Sequence, residues 1–551
     1  MIKKIKKRII LFQDKIYTLL DFFEYARNLL PYSSQLKSKP FLDSQKSLLI
    51  VSGAGMNISW AQIWTFLSLA AFKRDYKVIV LTYKKSKLLN MYYSLMPMQK
   101  VFFEDLRPTD TDPISNEIKK RLEELQSFND YKTYYYKDAP IGQIALSTYS
   151  RHKGTGLIDL TQQHVKAYVH EWIVLLIQYY NLAETVYQKY NVQALFVTEV
   201  FLEEYGAFYY SAINHRINVI RFAGTVRDDS FILQHLSQDN DRIHHSSIAK
   251  SSFESIQSLS WGELEEKELA QNFLDRYGDK WHRSKRNQPN TVFMSPEDMR
   301  QHYAIPSNKK IAIIYSHILY DTLFFFGTDL FKNYAEWLIE SVKAACENDQ
   351  VEWFVKVHPS NIWRGELNFL LKGKYEEEKL IHSTIGSLPK HVRIIPADND
   401  GISPYSWFQF ADYGITVRGT SGLEMAALGK TVICAGTGRY EGNGFTVDPV
   451  DSKEYLSILK NIQKLPYLED HQKLLAKQYA HAIFIRKPFA LTSFELKPKK
   501  GVKKILASDD IIYIPSKANK NRMADIQILS DWFDQIQKRD LLKGVDYDLE
   551  S

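Results

Sequence analysis

Arg418-Gly419-Thr420-Ser421-Gly422-Leu423-Glu424 stands between a short apolar run, Tyr413 to Val417, and a helical pattern. Glycine lets the backbone approach a ligand closely, and the amides of Thr420 and Ser421 open the next helix and point outward from it. The helix dipole favours an anion at that end, so the segment suits the phosphate of a nucleotide mono- or diphosphate. Glu424 is expected within the first turn. There it either accepts hydrogen bonds from ribose hydroxyls or is simply an acidic residue that suits a helix N-terminus. Gly436-Thr437-Gly438-Arg439-Tyr440-Glu441-Gly442-Asn443-Gly444 follows the next apolar run and reads as a polar loop able to close over the same ligand, with Arg439 among the binding candidates.

Lys356-Val357-His358-Pro359-Ser360 ends another apolar run. Pro359 restricts His358 to an extended backbone, which holds an imidazole at a strand tip. With Lys356 near, that imidazole can bind phosphate and stabilise charge on a departing nucleotide. His317 and Asp321 follow the run Lys310 to Ser316, as donor-sugar or base contacts or as parts of a surface loop. Glu199, Glu203 and Glu204 follow the run Ala194 to Thr198, and any of them can serve as a general base toward a hydroxyl. Gly53-Ala54-Gly55-Met56-Asn57 is half of a dinucleotide fingerprint, but the third glycine and the acidic residue after the second strand are missing. No Walker loop, HExxH, GxSxG, DxD after a strand or nucleic-acid motif is present, so neither a bound metal nor a cofactor is expected.

These segments need parallel strands to carry them. Ser47 to Ser52 and Lys77 to Leu81 are unbroken apolar runs one helix apart, the pattern of a βαβ unit. Strands are expected at Ala194 to Thr198 and Asn218 to Phe222, with a helix over Tyr205 to Asn214 between them. A second series follows at Lys310 to Ser316, Glu352 to Val357, Val392 to Ile395, Tyr413 to Val417 and Thr431 to Cys434, which argues for a doubly wound parallel sheet. Residues 235–290 carry polar segments without a strand signal and are expected to form the hinge. The organisation expected is a basic helix at 1–30, a Rossmann-like domain at 44–285, a second at 290–490, and a helical extension at 491–551 that crosses back.

At 551 residues about two to four domains are expected, and 45% hydrophobic with 25% charged residues describes a folded protein. Cys346 and Cys434 stand far apart without metal or disulfide spacing, which suits a reducing compartment. The net charge of +7 is concentrated at the start, where Lys3, Lys4, Lys6, Lys7 and Arg8 accompany Ile2, Ile5, Ile9, Phe12, Ile16, Leu19 and Phe23 at helical spacing. That helix either rests through residues 1–25 on an anionic membrane surface or packs on its own protein. No run has the length of a membrane span or the form of a secretory signal, so a cytoplasmic protein is expected, peripheral to the inner face of the membrane if the helix binds it.

Tyr315 to Asp321, Lys356 to Trp363, Thr416 to Glu424 and Ala435 to Tyr440 together resemble the capsular polysaccharide biosynthesis proteins, which group with GT-B transferases. The resemblance covers mainly residues 310–450. It implies two Rossmann-like domains facing across a cleft, a nucleotide-sugar donor, and a polysaccharide or lipid-linked glycan acceptor. His358-Pro359 and Thr420-Ser421 look like the phosphate-contacting elements of bacterial sialyltransferases and Kdo transferases, which use CMP-activated acidic sugars. By the same resemblance Glu203 or Glu204 is the base, in a Glu-Glu-Tyr-Gly context where a sialyltransferase has an acidic pair directly before glycine. The Glu-x7-Glu pattern of retaining GT-B enzymes is not met, since Thr416 stands eight places before Glu424. A polymerase moving a polyol phosphate from a CDP donor, a nucleotide-sugar epimerase, and a non-catalytic member of a polysaccharide assembly complex are the alternatives.

Overall fold

The computed structural model describes residues 2–33, 46–53, 56–106, 113–278, 280–282, 287–288, 290–321, 323–362, 376–502, 510–517 and 523–548, with the side chains of 2–13 and 113–115 outside that set. Ala54 and Gly55 of the first glycine loop, Lys285, Arg286 and Pro289 of the expected hinge, and Trp363 therefore lie outside the described residues. The chain forms two units. The first comprises Met1–Ala145, His170–Gln238 and Phe489–Ser551, and the second Leu146–Val169 and Asp239–Pro488. Among the described residues no helix is long and apolar enough to cross a membrane.

The first unit is built on β1 (Ser47–Val51), β2 (Lys77–Thr82), β3 (Gln99–Phe102), β4 (Val192–Val197), β5 (Asn218–Gly224) and β6 (Ser230–Leu236). The strands lie in the order β6-β5-β4-β1-β2-β3, and β12 (Phe489–Ala490) extends the sheet beyond β6. β1 to β5 run parallel, while β6 and β12 are antiparallel to their neighbours. The helix Ile58–Lys73 joins β1 to β2 and starts where the Asn57 side chain accepts the Trp60 amide at 3.0 Å. It is apolar almost all round because both faces are covered. One lies on the sheet. Against the other lie the helix Ala524–Trp532 and a hairpin of β13 (Phe494–Pro498) and β14 (Ile511–Pro515), where Ser59 donates to the Ile511 carbonyl at 2.7 Å. The segment from Phe489 onward belongs to the first unit, but it is not the helical extension expected at 491–551: β13 and β14 precede the helix Ala524–Trp532, because their apolar side chains cover the helix Ile58–Lys73.

The second unit carries a five-stranded parallel sheet of β7 (Lys310–Tyr315), β8 (Val351–Lys356), β9 (Val392–Ile395), β10 (Tyr413–Thr416) and β11 (Thr431–Cys434) in the order β11-β10-β7-β8-β9. Counted within its own unit, each parallel set has the order 3-2-1-4-5, that of a Rossmann half. The α/β class and every strand named from the sequence are present.

The domain limits differ from the expected ones. Asp239–Tyr277 belongs to the second unit and not to the domain expected at 44–285, because its two helices bury apolar rows there. Asn272 donates to the Phe484 carbonyl at 3.4 Å, and His481 bonds Glu268 at 2.7 Å. Leu146–Val169 joins the same unit through the ion pair of Arg151 with Asp321 at 2.9 Å and the bond from Thr155 to Glu376 at 2.6 Å.

Candidate functional site

In a doubly wound sheet, ligands bind beyond the carboxyl ends of the strands where the strand order reverses. In the second unit that point lies between β7 and β10. Their two following loops touch there. The Nε2 of His317, just after β7, bonds the Thr416 hydroxyl at 3.1 Å and accepts the Val417 amide at 3.2 Å, so neutral His317 carries its proton on Nδ1. Burial, and then the Arg418 cation, push its pKa well below the ordinary value. The ring stacks on Tyr334 at 4.6 Å. His317 is therefore a brace for the Thr416–Gly419 turn, whose Gly419 amide is in turn bound by the Thr416 oxygen at 2.9 Å.

That turn starts the helix Thr420–Ala427. The amides of Thr420 and Ser421 and the Ser421 hydroxyl make no hydrogen bond among the described residues. Two N–H groups and a hydroxyl thus stand at the positive end of the helix, beside the switch point. Arg439 adds a cation. It donates to the Arg418 carbonyl at 2.9 Å and to the Thr420 hydroxyl at 2.7 Å, while its Nε is buried without a partner among the described residues. Burial lowers its pKa to about 10, which leaves it charged at neutral pH. Helix end, hydroxyls and guanidinium together make an anion-binding arrangement.

Several expected ligand contacts face inward instead. Arg418 is buried and bonds Asp329, the Tyr334 hydroxyl at 3.0 Å and the Thr437 carbonyl at 2.8 Å, so it ties the glycine loop to the sheet. Glu424 lies in the second helical turn, not the first. It is buried against Arg276 at 3.0 Å and accepts the Tyr277 hydroxyl, which places it in the unit's interior. Burial raises its carboxyl pKa and Arg276 opposes that. Gly422 makes room for a side chain of the protein: a Cβ there would sit 2.2 Å from the Tyr440 oxygen, whose hydroxyl donates to the Gly419 carbonyl at 2.7 Å. The Lys356 ammonium is buried against Asn399 and over the Trp407 ring at 4.3 Å. Asp321 is engaged by Arg151.

His358 stands at the tip of β8, next to β7. Its amide donates to the Ser316 hydroxyl at 3.0 Å, and its Nδ1 accepts the Ser360 amide at 3.2 Å, so neutral His358 carries its proton on Nε2. Pro359 keeps this tip extended. Behind it Asn361 bonds Glu377 at 3.0 Å, a buried carboxyl pushed up to about 7 by desolvation. Ser316, Tyr334, Tyr277, Arg276 and Glu377 were not selected from the sequence. Ser316 alone carried a local signal there, a hydroxyl at the end of a buried strand.

The first unit has its own switch point, between β1 and β4. The helix Glu203–Asn214 follows β4, and Glu203 begins it with a positive φ of 49°. Glu204 is buried, and its carboxylate packs against Gly53 at the end of β1. A Cβ on Gly53 would meet Glu204 Oε1 at 2.3 Å and Tyr205 Cζ at 2.7 Å, so the glycine makes room for a carboxylate and a phenol. The Tyr93 hydroxyl donates to Ser52 at 2.9 Å beside them. Glu203 is more exposed than Glu204, and Glu199 is exposed. Among the described residues no group of three His, Cys, Asp or Glu side chains is placed to hold a metal ion.

No protein-family profile and no curated protein matches the sequence. Solved structures are similar to it in fold. A β-Kdo 2,4 transferase, KpsC of Thermosulfurimonas dismutans, is 16% identical over 54% of this chain and 85% of its own, with a TM-score of 0.32. The UDP-GlcNAc 2-epimerase of Neisseria meningitidis bound to UDP-GlcNAc is 11% identical over 79% and 95%, with a TM-score of 0.24. A glycosyltransferase from Rickettsia africae is 10% identical over 80% and 93%, with a TM-score of 0.27.

Proposed function

We propose that the chain is a GT-B-type glycosyltransferase that moves a sugar, such as a CMP-activated acidic sugar, from a nucleotide donor to a surface polysaccharide or its lipid-linked precursor. The observation that carries this is the open N-terminus of Thr420–Ala427 at the switch point, with Arg439 seated on its first hydroxyl. In this proposal the amides of Thr420 and Ser421 hold the donor phosphate, and Arg439 and the Nε2–H of His358 meet the charge that grows on it. The bond from the anomeric carbon to the phosphate oxygen breaks with its electron pair going to the nucleotide. An acceptor hydroxyl forms the new bond, and its proton passes to Glu204, the more buried of the two candidate bases. The cation and helix end supply the leaving-group stabilisation, so the proposal calls for no metal. The reaction belongs on the cytoplasmic side, where nucleotide sugars are made.

The experiment is product analysis of the purified chain with labelled CMP-, UDP- and GDP-sugars and a capsule-type oligosaccharide. The expected result is an elongated glycan and free nucleotide, formed only when both substrates are present and undiminished by a chelator. Conversion of the donor alone would point to an epimerase, and transfer of polyol phosphate from a CDP donor to the alternative polymerase; either result defeats the proposal.

A further inference from the structure

The first helix, Ile2–Ser33, has two apolar faces, and the protein covers one of them. Phe22, Tyr25, Leu29 and Tyr32 are buried, held by bonds from Tyr25 to the Gln62 carbonyl at 2.8 Å, from Asn28 to the Pro515 carbonyl at 3.0 Å and from Tyr32 to the Ser516 carbonyl at 3.0 Å. On the opposite side Ile16 is 42% exposed, Leu19 42%, Leu20 47%, Phe23 62% and Leu30 59%. At roughly 100° per residue these positions form a single stripe, into which Arg27 falls as well. Upstream, Ile5, Ile9 and Phe12 continue the spacing in the sequence.

The flank of this stripe is basic from two distant parts of the chain. Lys3, Lys4, Lys6, Lys7 and Arg8 open the helix in sequence, and Lys15 and Arg27 are exposed on it. The hairpin of β13 and β14 brings Lys497 and Lys500 alongside, bonded to Glu24 at 2.8 and 2.7 Å, with Lys500 also 3.2 Å from Asp21. Gly501 lies close enough to Tyr17 that an added Cβ would come within 2.6 Å of its ring. Asp21 and Glu24 are thus paired with lysines of the hairpin, which leaves Lys15 exposed beside the apolar stripe and Arg27 exposed within it.

We propose that this stripe and the basic hairpin beside it form a seat for an anionic lipid surface. The apolar side chains enter the boundary between headgroups and acyl chains, and the lysines and arginines meet the headgroups. Arg27 reaches outward along its own stem. The charge favours lipid over a second copy of the same face, because a two-fold contact would bring the Lys15 and Arg27 cations of both copies onto one apolar seam. The seat stands independently of the transferase proposal.

The test is co-sedimentation of the full chain with phosphatidylcholine vesicles that contain or lack phosphatidylglycerol, at low and high salt. Binding is expected only to the anionic vesicles, and high salt should weaken it. The double variant Leu19→Ser with Phe23→Ser should partition about tenfold or more less. Lys15→Glu with Arg27→Glu should lose on the order of tenfold on anionic vesicles. Both variants should melt as the parent does, since the changed side chains are exposed. Failure of the parent to bind, equal binding by the double variant, or binding indifferent to phosphatidylglycerol and salt would overturn the seat. So would a dimer in sedimentation velocity that Phe23→Ser dissociates, which would assign the stripe to self-association.

Discussion

The two units share a strand order, and each brings two loops together at its switch point, yet the chemistry gathered there is opposite. In the second unit, His317, Thr416 and Arg418 are used up in bracing a turn, and what they leave open is a helix end with two amides, a hydroxyl and the Arg439 guanidinium. In the first, a glycine admits the Glu204 carboxylate and the Tyr205 phenol against the end of β1. One place suits an anion and the other presents a carboxyl group. The same topology therefore sets where chemistry can occur, and the side chains at the two loop ends decide which substrate atom is served.

Substitutions can break this contrast. Glu204→Gln should lower turnover by about 10²–10⁴ while leaving nucleotide affinity within about twofold, because it removes a base without touching the anion site; parallel kinetics and calorimetry would check both halves. Arg276→Met leaves Glu424 buried without its ion partner beneath the anion site. It should cost about 3–5 kcal/mol in urea unfolding of the second unit.

A pH effect belongs to the first unit. His235 is buried, hydrogen-bonded to Asn218 at 2.7 Å, and desolvation lowers its pKa to about 4. Between about pH 6.5 and pH 4 the unfolded chain takes up a proton that the folded one refuses. Stability should therefore fall by about 3 kcal/mol as the solution is acidified through that window. Urea midpoints at both ends should show the loss, and His235→Gln should shrink it. Among the smaller effects, Arg439→Gln should weaken nucleotide binding by about tenfold, the value of a charge-assisted hydrogen bond. Gly422→Ala should weaken it by a few-fold, as Tyr440 gives up its bond to Gly419. Titration calorimetry resolves both.

The strands that carry these sites were legible because buried parallel strands are continuous apolar runs, as in SLLIV and KIAIIY. β6 was not, since Gln234 and His235 interrupt SFILQHL and are buried through partners remote in sequence, Asp540 and Trp532. β3 (QKVF) and β13 (FELKP) are short and interrupted by lysine and gave no run to see, whereas β14 (IIYIP) is a buried apolar run that the expected helical extension left out. The glycine loop and His358-Pro359 were recognisable as chemistry at a sheet edge. Which of their residues face outward was not, because Arg418, Lys356 and Glu424 are turned inward by Asp329, Asn399 and Arg276, far away in sequence. The place of Asp239–Tyr277 was hidden for the same reason: its helices have polar outer faces, and their packing partners come some 200 residues later.

The most direct test of the contrast is calorimetric titration of the folded chain with CMP, CDP, UDP and GDP, alongside a Thr420→Val, Arg439→Gln double variant and Glu204→Gln. One nucleotide should bind the parent and Glu204→Gln equally and the double variant at least about tenfold more weakly. Failure of every nucleotide to bind, or equal binding by the double variant, would contradict the assignment of the second unit's helix end as the donor-phosphate site.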